Sequence, residues 1–297
     1  MAKSKVYFTK NISPEMVVKM YDVLGKELPG KVAVKVHSGE AGNKNFLRPD
    51  YMKPIVDRVH GTVVECNTAY GGARCTTAKH KKLLNDHKWD SYFDVDIMDA
   101  EGPDTRIDIK DGLILDYNLV GKNMNNYDSM LVVSHFKGHA MGGFGGALKQ
   151  LSIGCGSTAG KCVQHSAGRS EDPDTAWQEG TIATTEEFKK AMADAATTVV
   201  RKFNGNIAYI NNMVNLSVDC DCDGNAAPPC MKDIGILSST DPVALDKACY
   251  DLIANSKDPG KYELLERIHT RMGELTIYWA EKLGIGSTDY ELIDIDK

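Results

Sequence analysis

The sequence predicts an α/β protein made of two α/β lobes, with mainly parallel sheets and a ligand cleft at the carboxyl ends of the strands. Two observations support this prediction. Strand-like and helix-like segments alternate along the first half of the chain, and such alternation is typical of parallel sheets covered by helices. Polar side chains follow several of the predicted strands, and open α/β sheets bind their ligands at that edge.

The first half of the chain contains five short apolar runs and three amphipathic segments. The predicted strands are SKVYFTK, KVAVKVH, TVVEC, FDVDIMDA and YDSMLVVSH. The predicted helices are SPEMVVKMYDVLGKEL, DYMKPIVDRVH and TTAKHKKLLNDH. Ser13 is the expected N-cap of the first helix, because its hydroxyl can accept a hydrogen bond from a free backbone N–H of the first turn.

The second half begins with the polar, turn-rich residues 166–184, which predict a surface loop or a crossover. We treat the chain as one domain, 1–297, with lobes expected at 1–165 and 166–297. The predicted helices are TTEEFKKAMADAATTVVRKF, starting at Thr185, then DPVALDKACYDLIANS and the longer YELLERIHTRMGELTIYWAEKLG. The predicted strands are NIAYINNMVNLS, DIGILSS and the terminal YELIDI.

Composition excludes several classes of function. The 297 residues carry a formal net charge of −6 with no basic block, which argues against a nucleic-acid partner. The N-terminal MAKSKVYFTK has no apolar signal region, and no stretch approaches the roughly 18–20 apolar residues of a membrane span. We therefore expect a cytoplasmic protein with no membrane partner.

Three predicted strands end in loops with polar side chains. Those side chains belong to His37, Glu40, Asn67, Arg74 and His135. Because the carboxyl ends of parallel strands meet at one edge, we expect a shared pocket there. His37 is a candidate acid or base, and the other four are candidates for binding a small anionic substrate.

Eight cysteines without a signal peptide favour metal or redox chemistry over disulfides. Cys66 and Cys249 lie in apolar runs and are expected to be buried structural residues. Cys220 and Cys222 lie in the acidic segment DCDCD, which Cys230 follows, and they are candidate metal ligands. Their Cys-x-Cys spacing is not that of structural zinc sites or bacterial ferredoxins. An acidic surface loop with two free thiols remains the alternative.

The segment GHAMGGFGGALKQLSIGCGSTAGKCVQH, residues 138–165, combines many glycines with His139, Lys149 and His165. Glycine lets the backbone approach a flat or anionic ligand closely. The glycines expected to do so are Gly142, Gly143, Gly145 and Gly146. Imidazoles shuttle protons or bind metals near neutral pH, so His139 and Lys149 are candidate catalytic residues and His165 is a candidate ligand. The segment matches neither the P-loop nor the dinucleotide-binding pattern.

Five stretches together resemble the DUF362 family, whose members are often described as uncharacterised Fe–S centre proteins. They are KVHSGEAGN, NTAYGGAR, SHFKGHAMGGFGGALKQLSIGCGS with GKCVQHS, CDC, and DIGILSSTDPVALDKACYDL. The resemblance implies an α/β fold and an iron–sulfur cofactor. Many relatives carry a ferredoxin-type insert after the position of His165, and this chain has no cysteine there. A cluster would therefore have to use Cys155, Cys162, Cys220, Cys222 or Cys230.

The segment from His139 to His165 is also similar to the glycine-rich motif of nickel-pincer lactate racemases. That similarity implies that His139 moves a proton, that Lys149 holds a cofactor or an anion, and that His165 binds metal.

Three functions follow from these patterns. The first is a metal- or Fe–S-dependent enzyme that acts on a small anionic organic substrate by proton transfer or redox chemistry. The second is a non-catalytic Fe–S or metal-binding protein that transfers electrons or delivers metal to a redox partner. The third is a protein that binds a phosphorylated or nucleotide ligand. Thiolate and imidazole ligands suit an iron–sulfur cluster and mononuclear iron, nickel or zinc alike.

Overall fold

The computed structural model describes residues 3–297, which contain twelve β-strands and nine α-helices. The strands are β1 (Ser4–Thr9), β2 (Val32–Lys35), β3 (Thr62–Glu65), β4 (Asp96–Ile97), β5 (Thr105–Asp108), β6 (Tyr117–Val120), β7 (Ser129–His135), β8 (Lys137–His139), β9 (Gly143–Gly145), β10 (Ile207–Met213), β11 (Gly235–Ser239) and β12 (Tyr290–Asp294). The helices are α1 (Pro14–Asp22), α2 (Pro49–Arg58), α3 (Thr77–Asp86), α4 (Ala147–Leu151), α5 (Thr158–His165), α6 (Thr185–Phe203), α7 (Pro242–Ala254), α8 (Lys261–Thr270) and α9 (Glu274–Lys282).

Eight strands form one sheet in the order β12-β1-β11-β10-β7-β2-β3-β4. Every neighbouring pair is parallel except the two pairs made by β11, which runs antiparallel to both β1 and β10. The prediction of an α/β fold with a mainly parallel sheet is confirmed. The expected boundary at residue 165 does not separate two sheets, because β10 and β11 from the second half lie between β1 and β7 from the first.

Helices cover both faces of the sheet, and its central strands are buried on both sides. In β7, Met130 and Val132 pack into the core on one face, whereas Leu131 and Val133 pack into the core on the other. Residues alternate in this way because successive side chains of a strand point to opposite faces. Helices α4 and α7 pack on the first face, and α1 packs on the second. Continuous apolar runs such as SMLVVS are what such doubly covered strands require.

The terminal helical segment, predicted as one long helix, forms two helices. Helix α8 stops at Thr270, and Met272 adopts the left-handed conformation with φ of 50°. The N–H of Gly273 then donates to the carbonyl of Ile268 at 2.8 Å, which satisfies a carbonyl at the end of the helix. The chain turns there and continues as α9.

Strands β2, β3, β7 and β10 are mutually parallel, so their carboxyl ends lie along one edge of the sheet. Two further segments reach this edge, the small β8–β9 hairpin and the long loop between β10 and β11. The sequence did not predict the hairpin. Across residues 3–297, no helix combines the length and the apolar character needed to cross a membrane.

Candidate functional site

A cavity of about 290 Å³ lies at the carboxyl edge of the sheet, among the loops that follow the strands. Its chemically active lining residues come from four separate segments of the chain. They are His37, Arg74, His139, Lys149, Lys161, His165, Cys220 and Cys222. The shared pocket expected from the strand-end loops is therefore present, and the glycine-rich segment and the CDC loop both contribute to it.

His139 lies at the end of β8 and is held by the backbone of its own hairpin. Its Nδ1 accepts hydrogen bonds from the N–H groups of Met141 at 3.1 Å and Gly142 at 2.8 Å. Since Nδ1 is an acceptor, the neutral ring carries its proton on Nε2. Burial lowers the pKa of His139 to about 4, so the ring is neutral near pH 7. Its Nε2–H points toward the Cys222 sulfur, which lies 3.8 Å away.

His165 has the opposite tautomer. Its Nδ1 lies 2.7 Å from the carbonyl oxygen of Lys161, one turn earlier in α5, and must donate a proton to it. That bond leaves a lone pair on Nε2. The ring is packed against Phe188 and Trp177, with both centroids 4.7 Å away. Burial lowers the pKa of His165 to about 3, so the ring is a neutral ligand or base rather than an acid.

Cys220 and Cys222 bring their sulfurs to the same place as His139. The two sulfurs and one ring nitrogen of His139 all lie within 4.8 Å of one another. Burial raises the pKa of Cys220, but the hydrogen bond from Cys222, the nearby His139 ring and the positive charge of Lys149 outweigh it and lower that pKa well below its usual value. The N–H of Cys222 also donates to the Cys220 sulfur at 3.3 Å. One thiolate therefore forms readily in this loop.

The residue between the two cysteines anchors the CDC loop. Asp221 is buried, and its carboxylate accepts from Lys137 at 2.6 Å and from Nδ1 of His135 at 2.8 Å. Burial raises the pKa of Asp221, yet the charges of His135 and Lys137 hold it well below its usual range. With Asp221 tied to the strand-end residues, both flanking cysteines are presented to the cavity. The Cys-x-Cys spacing therefore has a structural reason.

The donor set fits a single metal ion better than a cluster. Most iron–sulfur clusters are held by four cysteines, and Rieske-type clusters by two cysteines and two histidines. The structure brings together two of the predicted cysteines with one histidine, His139. Cys155 is packed in the main core, Cys162 packs with Trp177, and the Cys230 thiol donates to the carbonyl of Leu216 at 3.2 Å. Across residues 3–297, none of these three joins a group of three candidate ligands.

Three basic side chains, Arg74, Lys149 and Lys161, line the cavity together with the carboxylates of Glu65, Asp219 and Asp223. The side-chain ammonium of Lys149 makes no hydrogen bond or ion pair with any residue from 3 to 297. Among residues 3–297, the ammonium of Lys161 donates a single hydrogen bond, to the carbonyl oxygen of Gly156 at 2.5 Å. Arg74 is shared between two carboxylates, with Glu40 at 3.3 Å and Glu65 at 3.7 Å. The unpaired ammonium of Lys149 is the group best placed to attract an anion into the cavity.

Several predicted binding residues position the loops instead of facing the cavity. Glu40 accepts from the Ala73 N–H at 2.8 Å and pairs with Arg74. Asn67 bonds to the side chains of Thr77 and His80. His135 uses both of its ring nitrogens, one on Asp221 and the other on the Val214 carbonyl at 2.6 Å. These side chains therefore have no free group for a ligand.

His37 does line the cavity, as expected. Its Nδ1 accepts from the N–H of Gly39 at 3.0 Å, so its proton is also on Nε2. Burial lowers the pKa of His37 well below its usual value, which keeps the ring neutral. It is a hydrogen-bond donor of the same kind as His139.

The glycines of the motif lie close to neighbouring protein atoms and outside the main cavity. Gly143 has φ of 83°, and a side-chain carbon there would lie 2.7 Å from the Cα of Gly273. At Gly146 that carbon would lie 2.4 Å from Asp246, whose carboxylate caps the N-terminus of α4. Gly142 covers the ring of His139, and Gly145 lies beside Lys137. None of the four lines the main cavity, although Gly145 and Gly146 border a separate void of about 20 Å³.

Sequence reasoning missed two kinds of residue at this site. Lys161 lies four residues before His165 on one face of α5, a spacing that could have identified it. His80 lies on the mostly polar helix α3, but its side chain is fully buried. Its two ring nitrogens face Ser38 and Asn67, at 3.3 and 3.2 Å. Nothing in the local sequence around His80 indicates this contact.

Comparisons with known proteins are consistent with these observations. A family model described as "Domain of unknown function (DUF362)" matches residues 32–251, which confirms the resemblance found in the sequence. The lactate racemase apoprotein from Thermoanaerobacterium thermosaccharolyticum is a similar solved structure, with 12% identity, a TM-score of 0.48, and 85% of this chain covered. A protein from Thermotoga maritima has 12% identity and a TM-score of 0.46, with 91% of this chain covered.

The chain spans 58% of the length of each of these two structures. No curated protein matches its sequence.

Proposed function

This chain is a member of the DUF362 family, and from that premise we propose that it is a metal-dependent enzyme that transfers a proton at a small anionic organic substrate. One observation carries the proposal. A single buried cavity collects two thiols, two neutral histidines of opposite tautomer, and an unpaired lysine. The residues are His139, Lys149, His165, Cys220 and Cys222.

The metal would be held by Cys220 and Cys222. We propose His165 as a further ligand because it lines the same cavity, although it lies outside the group of three ligand atoms, from His139, Cys220 and Cys222, that approach within 4.8 Å of one another. Thiolate sulfur and neutral imidazole nitrogen suit zinc, nickel and iron, and His165 already directs a free lone pair from Nε2. His139 is the weaker candidate for a ligand, because its Nε2 carries a proton while its Nδ1 accepts from Met141 and Gly142. When bound, the metal supplies Lewis-acid or redox chemistry at this edge of the cavity.

Lys149 binds the anionic group of the substrate. Its ammonium has no counter-ion among residues 3–297, so an incoming carboxylate would meet an uncompensated charge. Lys161 adds positive charge on the α5 side of the same cavity. In a cavity that excludes water, such an interaction is stronger than at the surface. The substrate class that fits is therefore a small carboxylate.

His139 holds a proton at Nε2, on the side of the cavity where Cys222 lies, and we propose that it presents this proton to a substrate bound there. A neutral imidazole is a weak acid, so it polarises a substrate oxygen and transfers its proton only when strong negative charge develops there. That behaviour fits stabilisation of the negative oxygen that forms when the carbon next to a carboxylate or carbonyl group loses its proton to a solvent water. Burial keeps the ring in its neutral form across the physiological range, because the pKa of His139 is about 4.

Metal content is the first test. We expect the chain purified without oxygen to contain about one transition-metal ion and no acid-labile sulfide. The double variant Cys220→Ser/Cys222→Ser should lose the ion, whereas the control Cys230→Ser should retain it, since Cys230 lies outside the ligand group. Iron with stoichiometric sulfide would contradict the single-ion site, and absence of metal would overturn the proposal.

Turnover is the second test. We expect the metal-loaded chain to exchange the proton at C2 of a small 2-hydroxy carboxylate, or at C3 of a small 2-oxo carboxylate, for solvent deuterium, as measured by mass spectrometry. His139→Gln should keep the metal and slow exchange about 100-fold or more. His269→Gln is the matched control, because His269 is exposed on α8. If the bound ion is redox-active and His139→Gln and His269→Gln exchange deuterium at the same rate as the native chain, the electron-transfer alternative would be favoured.

A further inference from the structure

Lys189 is a buried lysine to which the proposed mechanism gives no part. It lies in the second turn of α6, its side chain is fully buried, and it does not line the cavity. Among residues 3–297 its ammonium forms one hydrogen bond, to the carbonyl oxygen of Met141 at 2.7 Å, and no ion pair. Burying an ammonium without a carboxylate costs free energy. An apolar residue would fill this space without that cost.

The charges around Lys189 make its position more unfavourable. Burial lowers the pKa of Lys189 to about 7, and the positive charges of Lys149 and Arg271 act in the same direction. The Phe188 ring lies 5.2 Å from the ammonium and supplies only weak compensation. The Met141 carbonyl is therefore the principal partner that stabilises the charged form.

The Met141 carbonyl belongs to the same amide as the N–H of Gly142. That N–H donates to Nδ1 of His139 at 2.8 Å, the shorter of the two bonds that hold the ring. An ammonium on the oxygen of an amide polarises it and strengthens hydrogen bonding by its N–H. The chain of bonds thus runs from Lys189 through one peptide plane to His139.

We propose that Lys189 is a positioning residue that fixes the Nε2–H tautomer and the orientation of His139 through the 141–142 amide. The inference rests on the proposed function for its catalytic meaning. Its structural content, the tautomer, can be measured without turnover. Helix α6 would then support both histidines of the site, since Phe188 stacks on His165.

The test is nuclear magnetic resonance of the full chain labelled with ¹⁵N-histidine and freed of metal, at about pH 6, where Lys189 is mostly charged and His139 neutral. Loss of signals in His139→Gln assigns the ring. We expect one tautomer, with the proton on Nε2, in the native chain. Lys189→Met should give a mixture of both tautomers. Lys190→Met is the control, because Lys190 on the same helix pairs with Glu186 at 2.8 Å.

Lys189→Gln is a second variant for the case in which Lys189→Met fails to fold, because glutamine keeps a neutral hydrogen-bond donor. In Lys189→Gln we expect a smaller fraction of the Nδ1–H tautomer of His139 than in Lys189→Met. A single Nε2–H tautomer in a folded Lys189→Met, or in Lys189→Gln if the methionine variant does not fold, would overturn the inference. Deuterium exchange separates the two proposals. Mixed tautomers with turnover reduced about 10-fold support both, whereas mixed tautomers with unchanged turnover support the positioning role and contradict the role of His139 in catalysis.

Discussion

At the scale of single residues, the site depends on which nitrogen of each histidine carries the proton. His139 and His165 are both buried and neutral, but their Nδ1 atoms face opposite partners, two N–H groups in one case and a carbonyl in the other. One ring therefore presents a proton and the other a lone pair. The sequence predicted both residues and assigned them different roles, and that assignment stays a prediction. It could not predict the tautomers, which depend on the orientation of peptide planes.

The burial of His80 can be tested through the pH dependence of the free energy of unfolding. Burial lowers its pKa from 6.5 to about 3. The unfolded chain therefore takes up a proton at His80 near pH 6.5, whereas the folded chain does so only near pH 3, and stability falls as the pH drops through that window. Between pH 7 and pH 5, protonation of His80 in the unfolded chain should lower the free energy of unfolding by about 2 kcal/mol.

We expect the loss of unfolding free energy between pH 7 and pH 5, measured in urea, to be about 2 kcal/mol smaller in His80→Gln than in the native chain. His269→Gln is the control, since that histidine is exposed. Equal pH dependence in all three proteins would show that His80 is not held neutral.

At the scale of elements, α6 is the helix on which the site most depends. Its N-cap is Thr184, whose hydroxyl accepts from the N–H of Glu187 while the Glu187 carboxylate accepts from the Thr184 N–H. This capping box satisfies two donors that a helix start leaves free. The sequence placed the helix start at Thr185, which is the first helical residue, one position after the cap.

Thr184→Ala should lower the free energy of unfolding by about 1 kcal/mol. Thr185→Ala, which removes a neighbouring hydroxyl without touching the cap, should change it by less. Urea unfolding of the two variants measures the difference, and equal losses would mean that the capping bond contributes nothing at this position.

The elements that sequence reasoning missed are the short ones. Strands β8 and β9 have three residues each and pair only with one another, so they contain no run of alternating apolar residues from which they could be predicted. The break between α8 and α9 was missed because Arg271 and Met272 are ordinary helix formers. It is made by a left-handed Met272 and the packing of Gly273 against Gly143. The long, strongly periodic elements, such as α6 and β7, were predicted within a few residues.

At the scale of the whole molecule, the strand order joins the two halves of the chain. Strands β10 and β11 lie between β1 and β7, and β12 lies beyond β1. Neither 1–165 nor 166–297 can therefore form its part of the sheet without leaving a gap or an open edge. The sequence indicated each strand but not its neighbours, because pairing is set by contacts between distant segments.

We expect the fragments 1–165 and 166–297, expressed separately, to lack cooperative unfolding. The full chain should show one urea transition. Trp89 packs on one face of the sheet and Trp279 on the other, so fluorescence of Trp89→Phe and Trp279→Phe variants compares the two faces. Two separated transitions, or a fragment that folds alone, would contradict a single unit.

The sequence predicted which residues line the candidate site more completely than it predicted how their side chains are arranged there. Residues with a shared strand-end position or a motif spacing, such as His37 and Lys149, do line the cavity. The assignment was least successful for cysteines, because Cys155 and Cys162 lie in the same motif but on buried faces of the protein. Whether a thiol faces a core or a cavity depends on packing that spacing alone does not encode.

The reversed direction of β11 has a consequence for how this protein can diversify. Because β11 is antiparallel to β10, the segment 214–234 leaves the sheet and re-enters it at the same edge, with no crossover. The segment is a loop whose two ends are fixed by adjacent strands, and these strands lie about 5 Å apart. Loops closed in this way tolerate insertions at small entropic cost. Exchange of this one segment would therefore change the thiols that face the cavity, while the sheet and both histidines stay unchanged.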